Sequence, residues 1–154
     1  MKRDPALRQL SSDHHQSLVH ARRLVKAAGP DEDPASSARI AHDFLNMWSA
    51  HVNTHFREEE EVLLPAFTRH GDPWDPAVVR MLVEHVQIRR LVGDLARRLE
   101  AGDPFAEIMR MLGILLHDHI RHEEDVLFPI IERALPEDAL AALGSELSAF
   151  QASS

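Results

Sequence analysis

The sequence predicts an all-α protein, an up-down-up-down four-helix bundle with a short fifth helix at its C-terminal end. Apolar residues recur at helical spacing through four long segments, and no run alternates apolar and polar residues between turn residues, so no strand is predicted. Asp-Pro pairs indicate helix starts, because Asp is a strong N-cap and Pro is favoured at the first helical position. The four pairs are Asp4-Pro5, Asp33-Pro34, Asp75-Pro76 and Asp103-Pro104.

The first two helices are predicted over about residues 5–28 and 34–70. Gly29 follows the first helix at the position where glycine commonly ends helices. Pro65 is expected to kink the second helix or to end its regular part, because proline removes an i→i−4 hydrogen bond.

The third and fourth helices are predicted over about residues 76–101 and 104–134, with Pro129 as the counterpart of Pro65. A fifth helix over about residues 136–150 has an apolar stripe that is expected to cap the bundle or to pair with another chain, so a dimer is one expectation. The 154 residues suit one domain, 1–154, with the bundle over about residues 5–134.

Composition excludes several classes of function. The formal net charge is −8 and no basic tract is present, which disfavours nucleic-acid and anionic-membrane partners. The absence of cysteine excludes disulfides, thiolate metal sites and cysteine nucleophiles. The N-terminus has no apolar signal region and no segment is apolar enough to span a membrane, so a cytoplasmic protein is expected. Eleven histidines beside no tyrosine point to metal binding.

One eleven-residue motif occurs twice, over residues 55–65 and 119–129. Both copies read His-x-x-x-Glu-acid-x-Val-Leu-apolar-Pro. Residues i and i+4 share one face of a helix, so each histidine and its glutamate can point at the same spot. A solvated i,i+4 salt bridge is the alternative for a single copy, but two copies favour a metal site shared between the halves of a duplicated chain.

Two further histidines extend this pattern. Asp13-His14 and Glu84-His85 match at an offset of 71 residues. His14 has apolar neighbours one and two helical turns away, whereas His15 has mostly polar ones. His14 is therefore predicted to face the core and His15 to face outward.

These residues predict two metal ions. One is expected between His14 and His55 and the other between His85 and His119, with Glu59 and Glu123 as bridges. Mixed imidazole and carboxylate ligation suits iron, with manganese or zinc as alternatives. Open coordination positions leave room for an oxo or hydroxo bridge and an exogenous ligand. His51, one turn before His55, is either an additional ligand or a residue at the mouth of the site.

The remaining histidines and acids are assigned supporting positions. The histidines without a duplicate are interpreted as surface residues or as supports for the ligands: His20, His42, His70, His117 and His122. A solvated acidic face that attracts cations is predicted for Glu58, Glu60, Glu61, Glu124 and Asp125.

With these motifs in view, the chain resembles the hemerythrin-like HHE cation-binding domain family over residues from about Leu7 to Ala134. The resemblance implies a four-helix bundle that holds a non-haem di-iron centre with His and Glu or Asp. Oxygen-carrying hemerythrins have a second histidine on the third helix, where this chain has Arg89. Their bridging Asp comes five residues after the histidine of the last helix, whereas Glu123 comes four residues after His119 in this chain.

Three functions are weighed. The first is a di-iron protein that binds dioxygen or nitric oxide for sensing, storage or scavenging. The second is a di-iron redox enzyme, or an iron donor that repairs damaged iron centres under nitrosative or oxidative stress. The third is a helical interaction protein whose histidines bind metal adventitiously. Ferritin-like oxidases use Glu-x-x-His on two helices, and that spacing is absent here.

Overall fold

A computed structural model describes residues 3–153, which form five helices and no strand. The all-helical prediction is confirmed. In chain order the helices are α1 (Arg8–Ala27, after a 3₁₀ turn at Pro5–Leu7), α2 (34–67), α3 (Pro76–Ala101), α4 (106–134) and α5 (Glu137–Ser153). Met1, Lys2 and Ser154 lie outside the described residues. No helix among residues 3–153 has the length and apolar character needed to cross a membrane.

Three of the four Asp-Pro pairs start helical structure as predicted. The side chains of Asp4, Asp33 and Asp75 each accept a hydrogen bond from a backbone N–H of the first turn. The prediction for Asp103-Pro104 is wrong, because α4 begins at Ala106. Gly102 adopts the left-handed conformation that ends α3, and the Asp103 N–H donates to the Arg98 carbonyl, so this pair belongs to the turn that closes α3.

Both motif prolines lie just after a π-helical turn. The turns are Glu59–Leu63 in α2 and Glu123–Leu127 in α4. In each turn the glutamate carbonyl accepts a hydrogen bond from the residue five positions later, the residue just before proline. The wider turn accommodates proline, which has no backbone N–H to donate to the carbonyl four residues earlier. The helices therefore continue past Pro65 and Pro129, and α2 ends only at Phe67.

The apolar core is divided into two clusters. One is built around Phe44, Trp48, Phe56 and Leu112, and the other around Leu10, Phe67 and Phe128. The motif histidines lie near the boundary between these clusters on each of the first four helices, and the motif glutamates lie there on α2 and α4. The core therefore encloses a polar layer at mid-length of the helices.

The fifth helix packs against the start of α1 and the second half of α2. Its Leu143 and Leu147 are buried in the same cluster as Leu7. α5 contacts the first 3₁₀ turn and the π turn Glu59–Leu63. The helix covers part of the bundle, and its pairing with another chain stays a prediction. The helix is longer than predicted, since it reaches Ser153.

α1 packs closely along α4 at Gly113. A Cβ atom at this position would lie 2.7 Å from the Ala21 carbonyl oxygen and 2.8 Å from Cγ2 of Val25. We expect Gly113→Ala to lower the free energy of unfolding by about 1–3 kcal/mol, because two backbones would have to separate. Urea unfolding followed by circular dichroism measures the change.

Gly93→Ala is the matched control. Gly93 lies within α3, and a Cβ there would meet nothing within 4 Å. This substitution is expected to raise stability by about 0.5–1 kcal/mol through helix propensity alone. Equal effects of the two substitutions would contradict a close approach of α1 and α4.

Candidate metal centre

Four helices bring the six predicted donor residues into one buried layer. Each residue is 6% exposed or less, and four of them are fully buried. His14 is buried and His15 is exposed, as the helical pattern predicts. The donor residues are His14 on α1, His55 and Glu59 on α2, His85 on α3, and His119 and Glu123 on α4.

The first half of the layer is built around His14 and His55. Their Nε2 atoms lie 2.9 Å apart. Oε1 of Glu59 is 3.2 Å from Nε2 of His55, and Oε2 of Glu123 is 3.0 Å from Nε2 of His14. Donor atoms of these four residues all lie within 4.8 Å of one another, a spacing that one metal ion could span.

The second half repeats this arrangement around His85 and His119. Oε2 of Glu59 is 3.2 Å from Nε2 of His85, and Oε1 of Glu123 is 3.0 Å from Nε2 of His119. Donor atoms of these four residues also lie within 4.8 Å of one another.

Each of the two glutamates faces both halves. Oε1 of Glu59 faces His55 and its Oε2 faces His85. Oε2 of Glu123 faces His14 and its Oε1 faces His119. A carboxylate with one oxygen on each side has the geometry of a bridge between two cations.

The donor atoms fit metal ions better than they fit one another. All four carboxylate oxygens of Glu59 and Glu123, and Nε2 of His85 and His119, are buried without a hydrogen-bond partner among residues 3–153. Leaving such groups unpaired costs several kcal/mol each. Imidazole nitrogens and carboxylate oxygens converging on a common point are the ligand set of a divalent or trivalent transition metal. The described residues therefore fit a pair of metal ions.

Two outer glutamates hold the histidines of the opposite half of the chain. Nδ1 of His14 donates to Glu124 over 2.7 Å, and Nδ1 of His85 donates to Glu60 over 2.7 Å. Glu124 in turn accepts from Arg3 at 2.7 Å, and Glu60 accepts from both terminal nitrogens of an arginine on α3. These contacts fix the rings so that Nε2 points inward.

The arginine that binds Glu60 is Arg89, the residue that stands where oxygen carriers have a second histidine. Its guanidinium also lies 5.5 Å from the centre of the Phe56 ring. Arg89 thus supports the outer carboxylate of His85 and leaves the inner layer without a further imidazole on α3.

The other two histidines face acids of their own half. Nδ1 of His119 donates to Glu84 over 3.0 Å, and Nδ1 of His55 lies 3.6 Å from Asp13. Glu84 also accepts from Arg80 at 2.7 Å. All four Nδ1 atoms therefore face a carboxylate, and all four Nε2 atoms face the centre.

The prediction of a solvated acidic face is wrong for three of its five members. Glu60 and Glu124 are hydrogen-bonded to inward-facing histidines, and Glu58 is only 3% exposed. Glu61 and Asp125 are exposed and pair with arginines one turn earlier, as the prediction requires. The sequence carries a signal for the supporting pair, because the acid after each motif glutamate is itself glutamate in both copies.

Two aromatic rings cover the histidines from the apolar side. Phe56 stacks on His85 with ring centres 3.7 Å apart, and Phe128 stacks on His14 at 5.3 Å. Both phenylalanines are almost fully buried. They limit the access of water to the layer, which strengthens electrostatic interactions inside it.

The remaining histidines lie outside the two donor groups. His51 is exposed and belongs to neither group, and it lines a surface cavity beside His55, so its place is the mouth of the site. His122 is buried and donates to the Ala77 carbonyl at 3.0 Å, a structural role that the sequence did not indicate. The other four are exposed or half-buried: His20, His42, His70 and His117.

The layer has an unusual electrostatic character. Burial lowers the pKa of His85, but Glu123, Glu59 and Glu60 outweigh this effect and raise it to about 10. At His55, Glu59 and Asp13 likewise outweigh the effect of burial and raise the pKa to about 9. Burial raises the pKa of Glu60 and Glu124, but their histidine and arginine partners lower both values to about 2. Without metal, the layer therefore holds protons on imidazoles beside ionised carboxylates.

The outer glutamates generate a prediction. Glu60→Gln is expected to weaken metal retention by about 10–100-fold, because Nδ1 of His85 loses its charged acceptor. Competition with a chelator measures the affinity. Glu61→Gln is the control, since it removes the same charge from an exposed neighbour. Equal retention by the two variants would show that Glu60 does not support the site.

The raised histidine pKa values give a pH dependence. His55 and His85 titrate near pH 6.5 in the unfolded chain but near 9 and 10 in the fold. Their stabilising contribution is complete below about pH 6.5 and is lost as pH rises through the folded values. We therefore expect the unfolding free energy of chelator-treated protein to fall between pH 7 and about pH 10.

This range is favourable for the measurement because the chain has no cysteine or tyrosine to titrate in it. Urea unfolding at several pH values follows the loss. Metal-loaded protein is the control, since bound imidazoles are already neutral and its stability should fall less. A flat profile for the metal-free protein would refute the charged-imidazole description.

Comparison with models of protein families matches residues 7–134 to the hemerythrin family, described as the Hemerythrin HHE cation binding domain. No curated protein and no solved structure matches the chain. The family match covers all four helices that carry the donor residues, and these residues form a His/Glu cluster able to hold metal. The chain therefore belongs to the hemerythrin HHE cation-binding domain family.

Proposed function

We propose that this protein holds two iron ions per chain and binds a small diatomic ligand, dioxygen or nitric oxide, for sensing, storage or scavenging. The supporting observation is the pair of donor groups that share Glu59 and Glu123. Each group offers two imidazole nitrogens and two carboxylate oxygens. Its metal would thus keep positions for an oxo or hydroxo bridge and for the diatomic ligand.

Iron is the metal that we propose, with manganese or zinc as alternatives. Two imidazoles and two carboxylates leave open positions on a six-coordinate iron or manganese ion, whereas a four-coordinate zinc ion would have none. His14, His55, His85, His119, Glu59 and Glu123 would hold the ions. When bound, such a pair supplies a redox-active centre that can take up a diatomic molecule; the chain orients the imidazoles and, through Phe56 and Phe128, restricts water.

A second candidate is an iron donor or a di-iron redox enzyme that acts under nitrosative or oxidative stress. One observation favours it. A cavity of about 430 Å³ with polar lining residues reaches Asp13, His55 and Glu58 at the edge of the layer. A diatomic ligand does not need an opening of this size, whereas a hydrated cation or a small reductant does.

We also propose a helix order, a cellular location and the absence of two classes of partner. Short connections between the long helices support an up-down-up-down order. The net charge of −8 supports a cytoplasmic protein without a nucleic-acid or membrane partner.

The experiment is elemental analysis of natively purified protein together with its ultraviolet–visible spectrum. About two irons per chain are expected, with near-ultraviolet bands that change in proportion to added dioxygen or nitric oxide. Binding leaves the ligand unconsumed, whereas sustained consumption with a reductant identifies the redox enzyme. Protein that folds but holds no stoichiometric metal contradicts both candidates.

Neighbouring histidines provide a matched pair of variants. His14→Ala is expected to lower the iron content from two per chain to one or less, because one donor group loses an imidazole. His15→Ala removes the same side chain from an exposed position and is expected to keep both irons. Full iron content in His14→Ala would exclude that histidine as a ligand.

A further inference from the structure

The two halves of the duplicated chain differ where the layer approaches the surface. On the side of His14 and His55, a cavity of about 430 Å³ opens beside the layer. It adjoins a π turn, Trp48–Val52, whose counterpart in α4 is regular helix. Its polar lining includes Gln9, Asp13, His51, His55, Glu58 and Gln151.

Glu58 is the most unusual residue in this cavity. Its side chain is 3% exposed and interacts with Gln151, yet its Oε2 atom has no hydrogen-bond partner among residues 3–153. One donor atom each from Asp13, His55 and Glu58 lie within 4.8 Å of one another. A buried carboxylate oxygen aimed at a second carboxylate and an imidazole is expected to bind a cation, because like charges repel in a low-dielectric site.

The other half of the chain provides an internal comparison. The duplicate of Glu58 is His122, which donates to a backbone carbonyl. The duplicate of His51 is Leu115, and that of Gln9 is Arg80. Arg80 pairs with Glu84, the duplicate of Asp13, whereas Asp13 accepts from the neutral amide of Gln9 and lies 3.6 Å from Nδ1 of His55. The second half therefore lacks the counterparts of the Glu58 carboxylate and the His51 imidazole, and its outer acid Glu84 is paired with an arginine.

We propose that Asp13 and Glu58 form a third cation site, through which divalent first-row transition-metal ions reach the His14/His55 half of the layer. His51 lies at the rim of the cavity and offers an imidazole to the arriving ion. Nδ1 of His55 faces Asp13 and keeps its proton when Nε2 of the same ring binds a metal, so the ligands of this site are the two carboxylates and, at the rim, His51. This inference rests on the proposed two-metal function.

The site has the properties of a transit site. Two carboxylates, with only the His51 imidazole at the rim, bind a divalent ion less tightly than the fuller donor set of the inner layer. The carboxylates also concentrate cations at the cavity, which speeds their arrival. An ion at this position is adjacent to His55, which is also a donor of the His14/His55 half of the layer.

The test uses full-length metal-free protein and Mn²⁺ as the probe. Electron paramagnetic resonance measures free Mn²⁺ at equilibrium, quenching with chelator measures the loading rate, and desalting measures retained metal. Wild type is expected to retain two Mn²⁺ and to bind a weaker third. Glu58→Gln is expected to lose the third and to load about tenfold more slowly, while it still retains two. Glu61→Gln, an exposed Glu→Gln change three residues away, should match wild type.

The outcomes separate this inference from the proposed function. Glu58→Gln that loads at the wild-type rate and keeps the third ion overturns the transit site but leaves the two-metal layer in place. No retained Mn²⁺ in any protein, wild type included, overturns both. If circular dichroism shows that Glu58→Gln does not fold, His51→Ala decides, because this position is exposed: slower loading supports the transit site, and an unchanged rate overturns it.

Discussion

The structure depends on the burial of four imidazoles and two carboxylates in one layer of an otherwise apolar core. These groups separate two hydrophobic clusters, and their inward atoms have no hydrogen-bond partner among the described residues. Burial of this kind is tolerated only where charges are paired or coordinate metal. The carboxylates of Glu60 and Glu124 fix the rings of His85 and His14, so that their Nε2 atoms face the centre of the layer. The unpaired inward atoms thus destabilise the metal-free layer, and the same atoms allow it to bind metal.

Duplication gives this layer its interlocked form. His14 belongs to the first half of the chain but is held by Glu124 from the second, and His85 of the second half is held by Glu60 of the first. The two inner glutamates likewise serve both donor groups. Neither half can therefore build a complete donor group alone. The π turns after Glu59 and Glu123 are part of this arrangement, because they let each motif run into a proline while the helix continues.

Much of this architecture follows from local chemistry that a sequence displays. Three Asp-Pro pairs start helical structure because each Asp side chain accepts a hydrogen bond from a backbone N–H two or three residues later. Asp103-Pro104 instead belongs to the turn that ends the preceding helix. Helical period and duplication together identify the six inward donors. The role of Glu60 could not be derived in this way, since its partners, His85 and Arg89, lie on another helix. The burial of His122 depends in the same way on a carbonyl of another helix, that of Ala77.

The donor residues are symmetric, but their surroundings are not, and this difference bears on function. Arg80 neutralises the outer acid beside His119, whereas the acid beside His55 faces a polar cavity and a neutral amide. A surface cavity therefore adjoins the layer beside His55, and we propose that ions and small ligands enter on this side. Two metal positions with equal donors would then differ in the rate at which they exchange. In a duplicated site of this kind, the inner donors would set the affinity for metal, and the residues outside them would determine which metal position an ion reaches first.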